Sequence, residues 1–213
     1  MKNLFILLVV VIFTCSCATN PVEIAKKASI SSVTVVKVNK SGIMIGSGTG
    51  FVIDKETIVT NVHVVSGGES VYIVTDDNLT YKVDGYLAMS EDNDLAILKV
   101  SGLNLPSLPL CQKEEVEVGE QIYVIGNPKG FTNTFSEGII SGKRSFETTD
   151  NIQITASISF GSSGGAVLNS HAQVVGIIVA MYGEGQNLNF AIPVKYLKEL
   201  VKKPYVLKDI SKI

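Results

Sequence analysis

The residues in this sequence best suited to chemistry lie in Gly161-Ser162-Ser163-Gly164-Gly165. A serine inside a tight glycine loop can be a nucleophile once a base takes its proton. Flanking glycines let the backbone adopt positive φ and turn its N–H groups toward one point, which makes an oxyanion hole. Gly and Ser also build ordinary turns, so the pentapeptide by itself favours catalysis only mildly. Two other stretches shift the balance. His63 sits in Thr60-Asn61-Val62-His63-Val64-Val65, and Asp94 opens the apolar run Leu95-Ala96-Ile97-Leu98.

Each of these alone has a plain structural reading: a histidine after a strand, and an acid in a strand-opening turn. Together, in the chain order His63, Asp94, Ser163, they form the chymotrypsin order of the Ser-His-Asp triad. The chemistry needs each member. His63 must face Ser163 with one ring nitrogen and give its other N–H to Asp94, which fixes the tautomer and stabilises the imidazolium. Ser162 competes for the role of nucleophile. The glycine frame favours Ser163, because Gly161, two residues before it, supplies a second oxyanion donor beside the Ser163 amide. His171, in the polar run Asn169-Ser170-His171-Ala172, reads as part of a hairpin turn.

The elements that must position these residues are mostly strands. Val, Ile, Thr and Gly are frequent, and alternation of period two sets in at Ile30. Strands are expected at 33–38, 43–53, 57–60, 71–75, 79–87 and 94–100, and again at 121–125, 134–142, 151–154, 174–181 and 189–192. Asp76-Asp77-Asn78 is a hairpin turn without the ligand spacing of a calcium loop. The G-x-G-x-G pattern of Gly46, Gly48 and Gly50 precedes a strand rather than a helix, which excludes dinucleotide binding and points to close approach of another backbone. Asn20-Pro21 starts a short helix over 22–28, and Pro193 starts another with Val194, Leu197, Leu200 and Val201 on one face. Segment 101–109, with two prolines, links the halves. Many short, regularly spaced strands in two halves predict paired antiparallel barrels.

The chain has 213 residues and a net charge of −2, so it can bury a real core and lacks the basic footprint of nucleic-acid binding. Of three cysteines, Cys15 and Cys17 lie near the N-terminus and Cys111 is then alone, which leaves no disulfide framework. Lys2 followed by ten unbroken apolar residues, 4–13, reads as a secretory signal, too short to span a bilayer. Two processing routes compete. Ser16 and Ala18 fit a small-x-small cleavage site, whereas Ser16 before Cys17 is similar to a lipobox. The scarcity of cysteine elsewhere favours a lipoprotein anchored at Cys17, or else Cys15, through two or more acyl chains.

Taken together, GSGTGFVI, TNVHVV, DLAILKV, IGNPKG, SEGIISG, SISFGSSGGAVLN, VVGI and NFAIPV resemble the protease domain of the HtrA/Deg family of trypsin-like serine proteases, over 33–194. The resemblance implies an all-β fold of two antiparallel six-stranded barrels with short N- and C-terminal helices. A signal peptide would occupy 1–16, a linker with a short helix 17–29 and the protease domain 30–205. Within that domain the barrels would cover about 30–105 and 114–192, followed by a helix at 193–203. His63 and Asp94 match the family's catalytic pair, Ser163 its nucleophile, and Gly161, Ser162 and Ser163 its oxyanion loop. The sequence also departs from the family. Phe160 stands where a proline is usual, and a four-residue turn between Val38 and Ile43 replaces a long regulatory loop. Segment 19–32 lacks the aromatics used in trimers, and no peptide-binding PDZ domain is expected before Ile213.

The expectation is therefore an exported serine endopeptidase of the cell envelope or periplasm. It would act on unfolded or exposed protein segments, need no metal or organic cofactor, bind no nucleic acid and touch the membrane only through a lipid anchor. The competing expectation is an inactive protease-like lipoprotein that binds peptides or partners. In this fold the primary pocket is lined by the segment before the nucleophile and the strand after it, here Ser157, Ile158, Ala180 and Met181. None is charged, which predicts small or medium aliphatic residues on the acyl side of the scissile bond.

Overall fold

The computed structural model describes residues 20–113, 115–127, 133–146, 149–181 and 188–213. The leader, with Cys15 and Cys17, lies outside the described residues. Helix α1 spans Pro21–Ser31, starting where Asn20 Oδ1 accepts the Val22 N–H at 2.9 Å and continuing past Ala28. Its buried Ile24 and Ala28, one turn apart, pack on the core of the second half of the molecule.

Seven antiparallel strands form the first unit: β1 (Ser32–Val38), β2 (Met44–Asp54), β3 (Thr57–Thr60), β4 (Ser70–Val74), β5 (Thr80–Lys82), β6 (Gly85–Ser90) and β7 (Leu95–Lys99). Their order is β5-β4-β1-β2-β3-β7-β6, a sheet curled into a half-barrel. The run expected as one strand at 79–87 is divided. It pairs with β4 at Thr80–Lys82, bends at 83–84 and pairs with β7 from Gly85 on. At the bend, the Val83 amide still donates to Val71 while the Asp84 amide has already turned to Lys99. One chain segment thus serves both edges of the sheet.

The second unit is a closed barrel of β8 (Gln121–Gly126), β9 (Thr134–Phe146), β10 (Thr149–Ile154), β11 (Ala166–Leu168), β12 (Val174–Met181) and β13 (Asn189–Pro193), ordered β10-β13-β12-β11-β8-β9. A one-turn helix α2 (Val62–Val65) follows β3, and α3 (Val194–Val201) follows β13. On α3, Val194, Leu197 and Leu200 are buried, while Val201 is 36% exposed and off the packed face.

Three strands of the first unit are buried on both faces. Val52, Ile58, Ala96 and Leu98 point into the first core, and Phe51, Val59, Leu95 and Ile97 into the core shared with the second barrel. This explains the unbroken apolar run 95–98: alternate residues go to opposite faces, and neither face meets water. Each of the Val, Leu, Ile and Phe side chains among them contributes about 1.5–3 kcal/mol on burial.

The chain beyond α3 returns to the first unit. Tyr86 and Lys208 exchange both backbone hydrogen bonds at 2.9 Å, and Ile210 enters the first core. The Gly67 amide donates to the Ile213 carbonyl at 3.1 Å, beside the end of α2.

Candidate active site

His63 is carried by α2, a single turn too short to fold alone. Its buried neighbours Val64 and Val65 anchor it in the first core. The His63 ring is thereby left half-exposed, and Asp94 approaches it from the turn before β7. The Asp94 Oδ2 lies 2.5 Å from His63 Nδ1, and Oδ1 accepts the His63 backbone N–H at 2.9 Å. One carboxylate thus grips both the ring and the main chain of the histidine. A carboxylate partner calls for a proton on Nδ1, leaving Nε2 of the neutral ring with a free lone pair.

Asp94 itself has φ of 48°, the left-handed region that Asp and Asn tolerate best among residues with a side chain. The turn 91–94 closes with the Asp94 amide on the Glu91 carbonyl at 3.0 Å. The Asp94 carbonyl then accepts from Asn61 Nδ2 at 2.9 Å and from the Val62 amide at 3.3 Å. Positive φ thus turns the carbonyl toward the residues before His63 while the side chain faces His63 itself.

Ser163 comes from the second barrel, in the loop between β10 and β11. Gly161 has φ of 97° and Gly164 of 85°, so the loop takes left-handed steps on both sides of the serine. Between them the backbone is held at several points. The Ser162 amide donates to Ser159, the Gly164 amide to Ile178 and the Gly165 amide to Ser162, each at 2.9 Å. Among the described residues, the amides of Gly161 and Ser163 have no acceptor. These are the two donors that the sequence pattern singles out. The Ser163 hydroxyl donates to the Val179 carbonyl of β12 at 3.2 Å, whereas Ser162 is 3% exposed and its Oγ accepts from the Ser159 amide at 3.3 Å.

His63 and Ser163 open onto one cleft between the two units, about 460 Å³ in volume, with Ile45 and Lys37 on one wall and Ile158 and Val179 on the other. The exposed Phe160 stands at its rim. Of the residues expected to line the primary pocket, Ile158 is in the cleft wall and Ser157 is exposed, its carbonyl accepting from Ser136 Oγ at 2.8 Å. Ala180 and Met181 pair through their backbones with Phe190 and Asn189, and their side chains lie outside what is described. His171 is in the β11–β12 turn, its amide on Asn169 Oδ1, as its polar surroundings predict.

Sequence reasoning missed three residues that brace this site. Lys37 Nζ donates to the His63 and Ser66 carbonyls at 3.0 and 2.8 Å, tying α2 to β1. Nothing in the local sequence marks that lysine. Asn61 occupies the N-cap position of α2, a legible signal, yet its amide serves Asp94 instead of the helix end. Thr49 reaches the Gly161 carbonyl with its hydroxyl at 2.7 Å across 112 residues of chain. Its strand also vindicates the reading of the glycines at one point: a Cβ on Gly48 would stand 2.7 Å from Val64 and 3.0 Å from the Ser163 carbonyl.

A two-unit β fold in which a carboxylate-held histidine and a glycine-framed serine line one cleft defines a class, and the chain belongs to the trypsin-like peptidase domain family, whose model matches residues 48–177. Within that class it is similar to HtrA/Deg-type proteases. It is 36% identical over 177 residues to the Hahella chejuensis protein named "Probable periplasmic serine endoprotease DegP-like", covering 78% of this chain and 36% of that protein. It is 37% identical over 165 residues to Protease Do-like 1, chloroplastic, of Arabidopsis thaliana, covering 70% of this chain and 37% of the relative. A serine variant of the HtrA-type protease AlgW, solved with a tripeptide, superposes with a TM-score of 0.78 at 25% identity, over 86% of this chain and 63% of the other. The chain spans little more than a third of the length of either sequence relative.

Proposed function

We propose that this chain is a serine endopeptidase in which Ser163, His63 and Asp94 act as nucleophile, general base and orienting acid. The observation that carries this reading is the double grip of Asp94 on His63, across the cleft from a serine whose own amide and that of Gly161 are free of acceptors among the described residues. For attack, Ser163 Oγ exchanges its hydrogen bond to Val179 for one to His63 Nε2. As Oγ bonds to the peptide carbonyl carbon, its proton passes to Nε2 and the carbonyl oxygen becomes an oxyanion facing the Gly161 and Ser163 amides. Collapse breaks the C–N bond, and the imidazolium gives its proton to the leaving amine. Water, deprotonated by the same ring, then attacks the acyl carbon, and as the C–Oγ bond breaks to release the acid the imidazolium returns its proton to Ser163 Oγ.

Polypeptide substrates would enter the cleft between the units, which Ile178 and Val179 of β12 help to line. The uncharged Ser157, Ile158, Ala180 and Met181 would accept small or medium aliphatic side chains on the acyl side, with broad selectivity. One methylene in an apolar pocket alters selectivity by only about 1–3 kcal/mol. The apolar leader supports export, with a lipid anchor at Cys17 or Cys15, and the periplasmic relative agrees with that compartment. Mass spectrometry of the mature N-terminus separates an acylated cysteine from an unmodified Thr19.

Labelling by a fluorophosphonate probe tests the central claim. Wild type labels and cleaves casein, whereas Ser163→Ala and His63→Ala lose about 10⁶-fold in rate, as triad knockouts do in subtilisin. Ser162→Ala keeps substantial activity. Casein cleavage by Ser163→Ala at the wild-type rate refutes the assignment. A peptide-library profile dominated by cleavage after Arg, Lys or Glu refutes the aliphatic pocket.

A further inference from the structure

The oxyanion loop is built around Gly161, the residue type with the widest choice of backbone conformations. Such a residue stays at φ of 97° only if its neighbours hold it there. Its own peptide group with Ser162 is clamped at both ends: the Ser162 N–H donates to the Ser159 carbonyl at 2.9 Å, and the Gly161 carbonyl accepts from Thr49 Oγ1 at 2.7 Å. The first clamp lies within the loop and moves with it. The second comes from β2 in the other β unit.

Thr49 is fully buried, and its hydroxyl has no freedom to turn away. Oγ1 donates its single hydrogen to Gly161 while accepting the Asn127 N–H at 2.9 Å. Asn127 is fixed in turn, its Nδ2 donating to Thr34 Oγ1 and its Oδ1 accepting the Asn133 N–H, both at 2.7 Å. The backbone of Thr49 is equally engaged. Its N–H donates to the Ser163 carbonyl at 2.8 Å, and its carbonyl accepts Thr60 Oγ1 at 2.7 Å. One residue of the first unit therefore holds the nucleophile loop of the second on both sides of the serine, before it by a side chain and after it by the main chain.

We propose that Thr49 is a positioning residue of the oxyanion hole: its hydroxyl holds the Gly161 carbonyl so that the Gly161 and Ser163 amides converge on one point. This rests on the serine-protease reading above. The hydroxyl touches neither substrate nor reacting atom. It acts through Gly161, and its loss frees that peptide to rotate while the main-chain bond to Ser163 persists. The expected signature is a deficit in transition-state stabilisation with ground-state binding intact.

The comparison that isolates the hydroxyl is Thr49→Ser against Thr49→Ala, both lacking the methyl group, with Thr49→Val as the isosteric control. Rates of fluorophosphonate labelling, kcat and KM on a peptide substrate, and affinity for a peptide aldehyde are measured alongside melting temperature. A misplacement near 1 Å costs about a hundredfold and loss of an oxyanion donor about 10²–10³, so Thr49→Ala and Thr49→Val should lose about ten- to a hundredfold in kcat. KM should hold, aldehyde affinity should fall in parallel with kcat, and Thr49→Ser should stay within about threefold of wild type. Should Thr49→Val fail to fold, the Ser–Ala pair still decides. Equal kcat per folded molecule in Thr49→Ser and Thr49→Ala overturns the proposal, even if both melt early, because a purely structural role moves stability alone. A wild type that does not label overturns the protease reading as well. A wild type and Thr49→Ala that label alike overturn only the role of Thr49.

Discussion

Gly164→Ala probes a close approach between the two β units. Gly164 has φ of 85°, and an added Cβ would stand 2.1 Å from the Thr49 carbonyl oxygen and 2.5 Å from Thr60 Oγ1. Ordinary contact begins at 3.4 Å, so a gap of about 1.3 Å must open. Neither side can yield alone. The Thr49 carbonyl already accepts Thr60, the Thr49 amide holds Ser163, and the Gly164 amide donates to Ile178. Left-handed backbone costs a non-glycine residue about 1–2 kcal/mol, and one or two of these hydrogen bonds, each about 1 kcal/mol, must break. The expected loss is about 2–4 kcal/mol, which in a chain of this size lowers the melting temperature by about 2–4 °C per kcal/mol. Because Ser163 is the adjacent residue, a displacement near 1 Å should also lower kcat/KM by about a hundredfold. Gly102→Ala is the matched control: φ is 80° with no atom within 4 Å of the added Cβ, so it should lose about 1 kcal/mol from backbone strain and no activity. Circular-dichroism melts and fluorophosphonate labelling rates measure both. If Gly164→Ala behaves like Gly102→Ala in the two assays, the clamp between the units has been misread.

Asp94→Asn keeps a residue suited to the left-handed backbone at that position but removes the charge beside His63, so under the orienting role proposed for Asp94 kcat should fall by about 10⁴, as the equivalent change does in the serine-protease triad, with little change in melting temperature. Retention of more than a tenth of wild-type kcat would remove Asp94 from the triad. Away from the site, Glu56 accepts Lys99 Nζ and the Gly102 amide, each at 2.7 Å, and these bonds, the Lys99 bond first, hold its carboxyl below the ordinary value of 4.5. A depressed folded-state pKa means stability that is present above the unfolded value and lost as pH falls through the folded one. Glu56→Gln should therefore melt below wild type at pH 7, and the difference should shrink from about pH 4.5 downward. A difference that stays constant from pH 7 to pH 2 would show that the charge of Glu56 contributes nothing.

The signals legible in the sequence were those carried by neighbours along the chain. Glycines on both sides of Ser163, the polar turn around His171 and the Asn20-Pro21 helix start each act through adjacent backbone, and each stands where its residue types place it. The strand run after Asp94 was legible because an unbroken apolar segment needs burial on both faces. That it divides its side chains between two cores emerges only from the packing. Helix α2 left no periodic trace, since four residues make a single turn and its stability comes from Val64, Val65 and the Lys37 bond. The break at 83–84 was equally hidden, because the same alternating residues suit either partner strand and the choice depends on where β4 and β7 lie.

Residue types alone fixed what chemistry the chain could attempt. A histidine, an acid and a glycine-framed serine are readable by identity, since each must be that residue for the proton to move. Distance and direction came from tertiary structure. The 2.5 Å contact between His63 and Asp94, the reach of Thr49 to Gly161 and the return of Ile213 to Gly67 join positions 31, 112 and 146 residues apart. A hydrogen bond depends on where two atoms meet in space, and a β fold built from distant pairings settles that only when the whole sheet has formed.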